Sequence, residues 1–284
     1  DLIRFMSIKT RGKKNCSYYN FLRGIGEENL PVFTEKQIDF INYLSGFLPL
    51  VRVHEYQIVK LLLDGPKTYQ EIVMYLTETV QGFVPAELEH ALTYLQFVEK
   101  DKDILRLSVP MDDQLLEYVQ DLIEYGLIRY VIDNGNETGF KLWLNYRMDQ
   151  VQLKLLKNPG NIMVGTYYYD DYVVIFASLK KDLEEADKLN YKDKFLQPDL
   201  FQWESMTNLP QSHLEKLMKS TFAHVFIRKM TTENGLVLPF TYVGKGKMSN
   251  PRKTDGDNGT YLFDIHMENE LPEYLQYDFG LTKE

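Results

Sequence analysis

The chain has 284 residues and a formal net charge of −9, and 44% of its residues are hydrophobic. This length suits two domains, since one domain commonly takes about 100 to 200 residues. No apolar stretch reaches the roughly 18 residues of a membrane helix, and the single cysteine, Cys16, excludes a disulfide framework or a cysteine-rich zinc site. The N-terminus lacks the order of a signal peptide, so we expect a cytoplasmic protein with no membrane partner. Because the chain begins with Asp1 and not with a methionine, we also expect it to be part of a longer protein.

The first half of the chain has the periodicity of helices. Thr34–Gln37 is a capping-box pattern before an amphipathic run, and His54–Leu63 is a second amphipathic segment. Two further helices and a strand are predicted at residues 69–76, 86–97 and 104–109. This order resembles a winged helix-turn-helix. The predicted helix over residues 86–97, the third of this motif, carries Glu87 and Glu89, however. It either binds DNA despite these negative charges or has a structural or protein-contact role.

The sequence changes character near Tyr146, and we predict a helical coupling domain over residues 1–145 and a second domain over 146–284. Before the boundary we expect a helix over 112–125 and a hairpin formed by 127–133 and 140–144. Beyond it, a short helix at 149–156 precedes six strand-like runs. The runs are 162–169, 172–178, 200–206, 222–230, 236–243 and 261–268. The predicted fold class is therefore α+β, a winged-helix-like domain followed by a bent β-sheet or barrel.

Signatures of catalysis are missing from the sequence. It has no G-x-x-x-x-G-K-[ST], G-x-S-x-G or H-E-x-x-H motif, and its five histidines share no metal-ligand spacing. We therefore expect no enzyme activity, cofactor or metal within this chain. One alternative is a nuclease site built from Asp170, Asp171 and Glu204.

Six segments of the second half occur in a specific order. They are Tyr146–Asp149, Val173–Phe176, Tyr191–Phe195, Leu200–Ser205, His224–Lys229 and Pro239–Gly244. In this order they resemble the C-terminal domain of superfamily 2 helicases that often carry a phospholipase-D-type nuclease at the other end. Type IV, modification-dependent restriction enzymes of the SauUSI kind are the best-known members. The resemblance covers about residues 145–280.

The resemblance implies an SRA-like, PUA-related domain that recognises 5-methylcytosine or hydroxymethylcytosine in duplex DNA by base flipping. It further implies that this domain directs helicase and nuclease domains of the same parent chain, an ATP-dependent endonuclease. The helicase and nuclease signatures themselves are missing here. The alternative is a protein-interaction module that docks on the helicase motor without reading modified bases.

A flipped base needs aromatic planes to stack on and polar groups for its Watson–Crick edge. The candidates are Tyr167, Tyr168, Tyr169, Asp170, Asp171, Phe201, Trp203 and Ser205. Strand alternation puts Phe201, Trp203 and Ser205 on one face, and Tyr167 and Tyr169 likewise share a face. The same alternation is typical of core strands, so a stacking role and a core role both remain open.

Basic residues cluster between Phe222 and Lys253, where six of them accompany one acid, Glu233. Such clusters, and not the total charge, indicate where phosphates bind. The residues predicted to contact DNA phosphates are Arg228, Lys229, Lys245, Lys247, Arg252 and Lys253. A second basic run extends from Lys9 to Lys14.

Overall fold

The structure, a computed structural model, describes residues 17–134, 139–156, 165–180, 192–233, 236–254 and 259–281. The basic run Lys9–Lys14 therefore lies outside the described residues. The chain divides into two compact units. Unit 1 comprises the described residues of Asp1–Gly139 and Asp149–Asn161, and unit 2 those of Phe140–Met148 and Ile162–Glu284. Across these described ranges, no helix combines the length and apolar character that a bilayer crossing requires.

Unit 1 is mainly helical and contains one small sheet. Its helices are α1 (Tyr18–Gly24), α2 (Glu35–Ser45), α3 (His54–Leu63), α4 (Tyr69–Thr79), α5 (Pro85–Tyr94) and α6 (Asp113–Asn134), with α7 (Met148–Lys154) at the junction with unit 2. Its strands are β1 (Lys67–Thr68), β2 (Val98–Asp101) and β3 (Ile104–Leu107), which form an antiparallel sheet in the order β1-β3-β2. The predicted capping box at Thr34 is confirmed, and Thr68 forms another at the start of α4.

The predicted hairpin at residues 127–133 and 140–144 is wrong, because residues 127–133 continue helix α6. The β-branched side chains that favoured a strand are exposed, with Ile128, Val131 and Ile132 showing 60%, 62% and 63% of their surface. They therefore need no partner strand. An i,i+4 ion pair of 2.8 Å between Arg129 and Asp133 stabilises the helical alternative.

Helix α6 approaches α3 closely at Gly126. A Cβ atom added there would lie 2.4 Å from the Tyr56 ring. That ring is completely buried and its hydroxyl donates to the Leu44 carbonyl oxygen at 2.9 Å, so it cannot move aside. Replacing Gly126 with alanine is expected to lower the free energy of unfolding by about 1 to 3 kcal/mol. Gly24→Ala, near which nothing lies within 4 Å, is the control that denaturant unfolding should find neutral or stabilising.

Unit 2 is built on one large sheet. Its elements are β4 (Asn145–Tyr146), β5 (Thr166–Tyr168), β6 (Tyr172–Lys180), β7 (Lys194–Gln197), β8 (Leu200–Glu204), α8 (Gln211–Lys219), β9 (Phe222–Met230), β10 (Thr232–Glu233), β11 (Leu236–Val237), β12 (Phe240–Lys253), β13 (Tyr261–Met267) and α9 (Glu273–Asp278). The strand order is β5-β6-β9-β12-β13-β8-β7, with β4 also paired to β12 and β10-β11 as a separate pair. Strands β6 and β9 are parallel and the other pairs are antiparallel.

The α+β class is therefore confirmed, while the barrel alternative is wrong. In the described part of the chain the end strands β5 and β7 are not paired with each other, so the sheet is open. The end of β12 that begins at Phe240 pairs with β4 and not with β13, which leaves the sheet irregular at this corner.

Both faces of the central strands are covered. On one face Val173, Ile175, Val225 and Ile265 are fully buried beneath Leu217 of α8 and other apolar residues. On the opposite face lies a cluster of rings in which most neighbouring centroids are 5 to 6 Å apart, a distance typical of favourable aromatic pairs. Its members are Phe140, Tyr146, Phe176, His224, Phe226, Phe240 and Tyr242. Unit 2 thus has an aliphatic core on one face and an aromatic core on the other.

Candidate functional site

At one end of the aromatic core, a row of stacked rings is partly exposed. The Tyr169 and Tyr172 rings are 4.3 Å apart and parallel within 5°, and the Tyr172 and Phe222 rings are 5.2 Å apart and parallel within 4°. The Lys245 ammonium group lies over Phe222, 3.8 Å from the ring centre. The three rings, which we call the ring stack, come from the β5–β6 turn and from strands β6 and β9, and Lys245 beside them comes from β12.

The pairing of β6, β9 and β12 explains why these side chains meet. Tyr172 is the parallel partner of Phe222, while His224 pairs with Lys245 and Phe222 with Lys247. Residues opposite each other in a sheet project from the same face. Lys247 is exposed, and its partner on β13 is His266, which is also exposed. The face therefore changes from aromatic to basic along the direction from β6 to β13.

His224 joins the ring stack to the aromatic core. Its Nδ1 atom lies 2.8 Å from the Tyr242 hydroxyl, and its ring contacts both Tyr172 and Phe222 edge-on. Burial, together with the nearby Lys245 charge, lowers the pKa of His224 to about 4. The ring is therefore neutral at pH 7, and burial also raises the pKa of the Tyr242 hydroxyl. The base of the ring stack is uncharged, and the positive charge of the site resides on its lysines.

His224 is expected to make the stability of unit 2 depend on pH. In the unfolded chain it takes up a proton near its usual pKa of 6.5, but in the folded chain only near pH 4. The free energy of unfolding should therefore fall by about 1 to 3 kcal/mol between pH 6.5 and pH 4. Denaturant unfolding across this range should show a smaller loss for His224→Gln. An equal loss in this variant would contradict the assignment, and His266→Gln, an exposed histidine on the same face, serves as the control.

Asp170 and Asp171 lie in the turn between β5 and β6, directly beside Tyr169. The Asp170 side chain is 93% exposed and forms an ion pair of 3.1 Å with Lys216. The Asp171 carboxylate is also exposed, while its carbonyl oxygen accepts a hydrogen bond from the Thr221 backbone at 3.1 Å. This bond fixes the turn against the start of β9. The structure thus brings both predicted carboxylates to the Tyr169 end of the ring stack.

The three consecutive tyrosines have different environments. Tyr167 contacts Phe176 of the aromatic core edge-on, with centroids 6.0 Å apart. Tyr168 packs with the aliphatic core and stacks on His213 of α8 at 4.6 Å. Tyr169 alone of the three belongs to the ring stack. Tyr167 therefore projects toward the aromatic face, as Tyr169 does, and Tyr168 toward the opposite face.

Phe201, Trp203 and Ser205 lie in the interior. Phe201 is fully buried, Trp203 is 3% exposed, and both belong to the aliphatic core. The buried Ser205 hydroxyl accepts from the Tyr261 backbone at 2.9 Å. The predicted common face of Phe201 and Trp203 is thus the face that forms the core, which a base reaches only if the core opens. These three residues therefore belong to the interior and not to the candidate site.

The residues predicted to contact phosphates form two groups, arginines that are paired within the protein and lysines that are exposed or half-buried. The Arg228 guanidinium donates to Ser178 at 2.7 Å and lies over the Phe240 ring. Arg252 forms two hydrogen bonds of 2.7 Å with Asp264, which help to lower the pKa of that carboxyl to about 2. Both arginines are therefore structural in this conformation. Lys247 and Lys253 are exposed, and Lys229 and Lys245 are half-buried.

The carboxylates proposed for a nuclease site do not converge. Asp170 and Asp171 precede β6, whereas Glu204 ends β8, and the order of the sheet places β9, β12 and β13 between these strands. At about 4.8 Å per strand the two groups are separated by roughly 19 Å. Glu204 instead accepts hydrogen bonds from Thr260 and the Lys192 backbone. In the ranges the structure covers, no three potential metal ligands cluster.

The sequence analysis did not predict four residues of the site, which are Tyr172, Phe222, His224 and Tyr242. The alternation of Phe222 and His224 with buried residues in β9 indicates that the two share a face. The side chains that lie next to this face depend on the parallel pairing of β6 with β9, which brings together residues about 50 positions apart in the sequence. A single sequence contains no local signal for such a pairing.

Two family models match the chain. One, described as a domain of unknown function (DUF3427), matches residues 140–279, a little under half of the chain. The other, described as a domain of unknown function (DUF8090), matches residues 6–104. The first range begins at the first residue of unit 2 and contains the whole ring stack. No curated protein matches the chain.

Two solved structures are similar at a low level. Arabidopsis thaliana SUVH6 in complex with SAM is 13% identical, with a TM-score of 0.33, over 78% of this chain and 40% of its own. The 5-hydroxymethylcytosine-specific restriction enzyme AbaSI is 13% identical, with a TM-score of 0.25, over 58% of this chain and 59% of its own. The chain thus spans less than two thirds of either protein. At these TM-scores neither similarity supports an inference about fold or ligand.

Proposed function

We propose that unit 2 binds duplex DNA and recognises 5-methylcytosine or 5-hydroxymethylcytosine. The observation that carries this proposal is the ring stack, with its lysines on one side and two exposed carboxylates at the Tyr169 end. The resemblance of residues 145–280 to the C-terminal domain of SauUSI-type restriction enzymes supports the same ligand.

Each part of the site has a separate task in this proposal. A cytosine flipped out of the duplex continues the ring stack at Tyr169, since stacking on aromatic rings stabilises an unpaired base. Asp170 or Asp171 accepts a hydrogen bond from the exocyclic amine, a donor that uracil and thymine lack. Lys245 and Lys247 neutralise backbone phosphates next to the flipped nucleotide. The 5-methyl group adds apolar contact with the tyrosine rings.

Fluorescence anisotropy with matched duplexes tests the proposal directly. The whole chain is titrated with one sequence carrying cytosine, 5-methylcytosine or 5-hydroxymethylcytosine at a single position. We expect tighter binding of at least one modified duplex, and 2-aminopurine placed next to the modified base in the same strand should become more fluorescent if that base leaves the stack. Equal affinities for all three duplexes would reject modified-base recognition.

The two lysines beside the ring stack are expected to supply sequence-independent affinity. Changing Lys245 and Lys247 together to glutamate should weaken modified and unmodified DNA by the same factor. It should also flatten the slope of log K against log salt by about two, because two phosphate contacts are lost. Anisotropy titrations at several salt concentrations measure both effects, with Arg252→Gln as the control because that cation is paired to Asp264. An unchanged slope would exclude these lysines from the interface.

We further propose that unit 1 couples the DNA reader to helicase and nuclease domains of the parent chain. The order of α3, β1, α4, α5, β2 and β3, with the sheet order β1-β3-β2, supports a winged helix. Its third helix, α5, carries Glu87 and Glu89 and buries His90. These charges disfavour insertion into a DNA groove and favour protein contact.

A protein-interaction role for the whole chain is the second candidate function, and this acidic helix is the observation that favours it. The two candidates differ in the result expected from the duplex titrations. A protein-interaction module binds neither modified nor unmodified DNA at physiological salt, whereas the proposed reader binds modified DNA.

A further inference from the structure

Unit 2 has a polar surface on the same side of its large sheet as the ring stack. The aromatic core covers that side over β6, β9 and the first half of β12, whereas the side chains on the rest of β12 and on β13, β8 and β7 reach solvent. Met248, Ile265 and Phe201 alternate with them and are buried in the aliphatic core on the other side. We call this surface the polar face, and its residues are Lys247, Ser249, Asp264, His266, Leu200, Gln202, Lys194 and Gln197.

One row of the polar face continues the ring stack across the sheet. Tyr172 pairs with Phe222, and Phe222 pairs in turn with Lys247. From Lys247 the row continues through His266, Leu200 and Gln197. The row crosses from β6 to β7 in five steps of about 4.8 Å, so it is roughly 24 Å long. Because a DNA duplex rises about 3.4 Å per base pair, this length corresponds to about seven base pairs.

The charge that the polar face offers to a ligand is positive. Its carboxylate, Asp264, accepts hydrogen bonds of 2.7 Å from Arg252 and from the Asn250 amide, so that its charge is compensated within the protein. Lys247 and Lys194 are exposed, and neither forms an ion pair with another described residue. The other polar groups of the face include neutral hydrogen-bond donors. Free cations and neutral donors together complement a phosphate backbone.

The other end of the ring stack does not suit a phosphate backbone. Asp170 and Asp171 are exposed there beside Tyr169, and negative charges repel phosphates. In the described part of the chain β5 ends the sheet on this side. We propose that DNA next to the flipped base lies on the polar face, so that unit 2 holds the duplex on one side of the modified base only. This inference rests on the DNA-binding role proposed above for unit 2.

The test uses the whole chain and two short duplexes modified at one cytosine of one strand. The first has about ten base pairs on the 5′ side of the modified base and about four on the 3′ side, so that only one flank exceeds the length of the row. The second reverses these lengths. In anisotropy titrations one of the two should bind at least about tenfold tighter, because its long flank alone reaches both Lys247 and Lys194.

Replacing Lys194 with glutamate tests whether the long flank lies on the polar face. The change should weaken binding of the tighter duplex and flatten its slope of log K against log salt by about one, while the other duplex is little affected. Lys219→Glu is the matched control, since Lys219 is also exposed but belongs to α8, which covers the aliphatic core on the opposite side of the sheet. It should leave both affinities unchanged, and melting temperatures verify that both variants fold.

The possible failures of this inference and of the proposed function are distinguishable. Equal binding of the two unequal duplexes, or equal effects of Lys194→Glu and Lys219→Glu, would overturn the one-sided arrangement. Neither result bears on modified-base recognition, which depends on the ratio of affinities for modified and unmodified DNA. If that ratio is one, recognition is rejected, and the polar face is rejected as well unless Lys194→Glu weakens unmodified DNA more than Lys219→Glu does.

Discussion

Replacing Tyr169 with alanine is expected to weaken binding of the modified duplex by about 5- to 150-fold. This range corresponds to the roughly 1 to 3 kcal/mol that stacking of one base on an aromatic side chain contributes. Affinity for the unmodified duplex should change little, because only the modified duplex commits a base to the site in the proposed mechanism. Anisotropy titrations with both duplexes give the ratio directly.

Tyr168→Ala is the matched control for this variant. Tyr168 is adjacent in sequence but stacks on His213 and packs with the aliphatic core. Its loss should lower the melting temperature while the ratio of the two DNA affinities stays at the wild-type value. If Tyr169→Ala retains the wild-type ratio while folded, or if both variants lose affinity for both duplexes equally, the ring stack does not hold the modified base.

A fragment that starts at residue 149 is expected not to form the sheet of unit 2, whereas one that starts at residue 139 should form it. The short segment Phe140–Met148 belongs to unit 2. The Phe140 ring lies 4.9 Å from the Phe226 ring, and the Trp143 backbone donates to the Tyr242 carbonyl oxygen at 2.9 Å. Tyr146 of the same segment is 3% exposed, and deleting a large buried aromatic side chain costs about 3 to 5 kcal/mol, a large part of the stability of one domain.

Circular dichroism and hydrogen exchange on the two fragments check this expectation. In the fragment that starts at residue 139, residues 149–156 lose their contacts with the remainder of unit 1, including the hydrogen bond from Gln150 to the Pro49 carbonyl oxygen. We therefore expect rapid exchange in α7 together with slow exchange in β6, β9 and β12. Native-like exchange of these strands in the fragment that starts at residue 149 would show that Phe140–Met148 is dispensable.

The sequence predicted the elements whose signals are local. Thr34 caps α2 as expected, β9 has the bounds read from its alternation, and the α+β class holds. The boundary at residues 145/146 falls inside the segment Phe140–Met148, which the structure assigns to unit 2 while the following residues return to unit 1. The amino-acid order contains no sign that the chain passes into unit 2 at Phe140 and back into unit 1 at Asp149. This path depends on the packing of Phe140 against the aromatic core of unit 2.

The candidate site was less accessible to sequence analysis than the fold. Tyr169 and Lys245 were predicted individually, but their connection through Tyr172 and Phe222 requires the parallel pairing of β6 with β9. Alternation placed Phe201 and Trp203 on a common face without showing that this face is the core. Arg252 looked available for phosphate because its partner, Asp264, is 12 residues away on the next strand.

If unit 2 reads modified bases as proposed, the pairing of Arg252 with Asp264 affects how long it stays on unmodified DNA. A protein that must inspect many sites benefits from short visits to ordinary DNA, and each additional cation that grips the backbone prolongs every visit. The carboxylate that occupies Arg252, and the Ser178 hydroxyl and Phe240 ring that occupy Arg228, remove two such cations from the surface. In the proposed mechanism, long residence would arise only where a base enters the ring stack, so that unit 2 would stay at modified positions and dissociate quickly elsewhere.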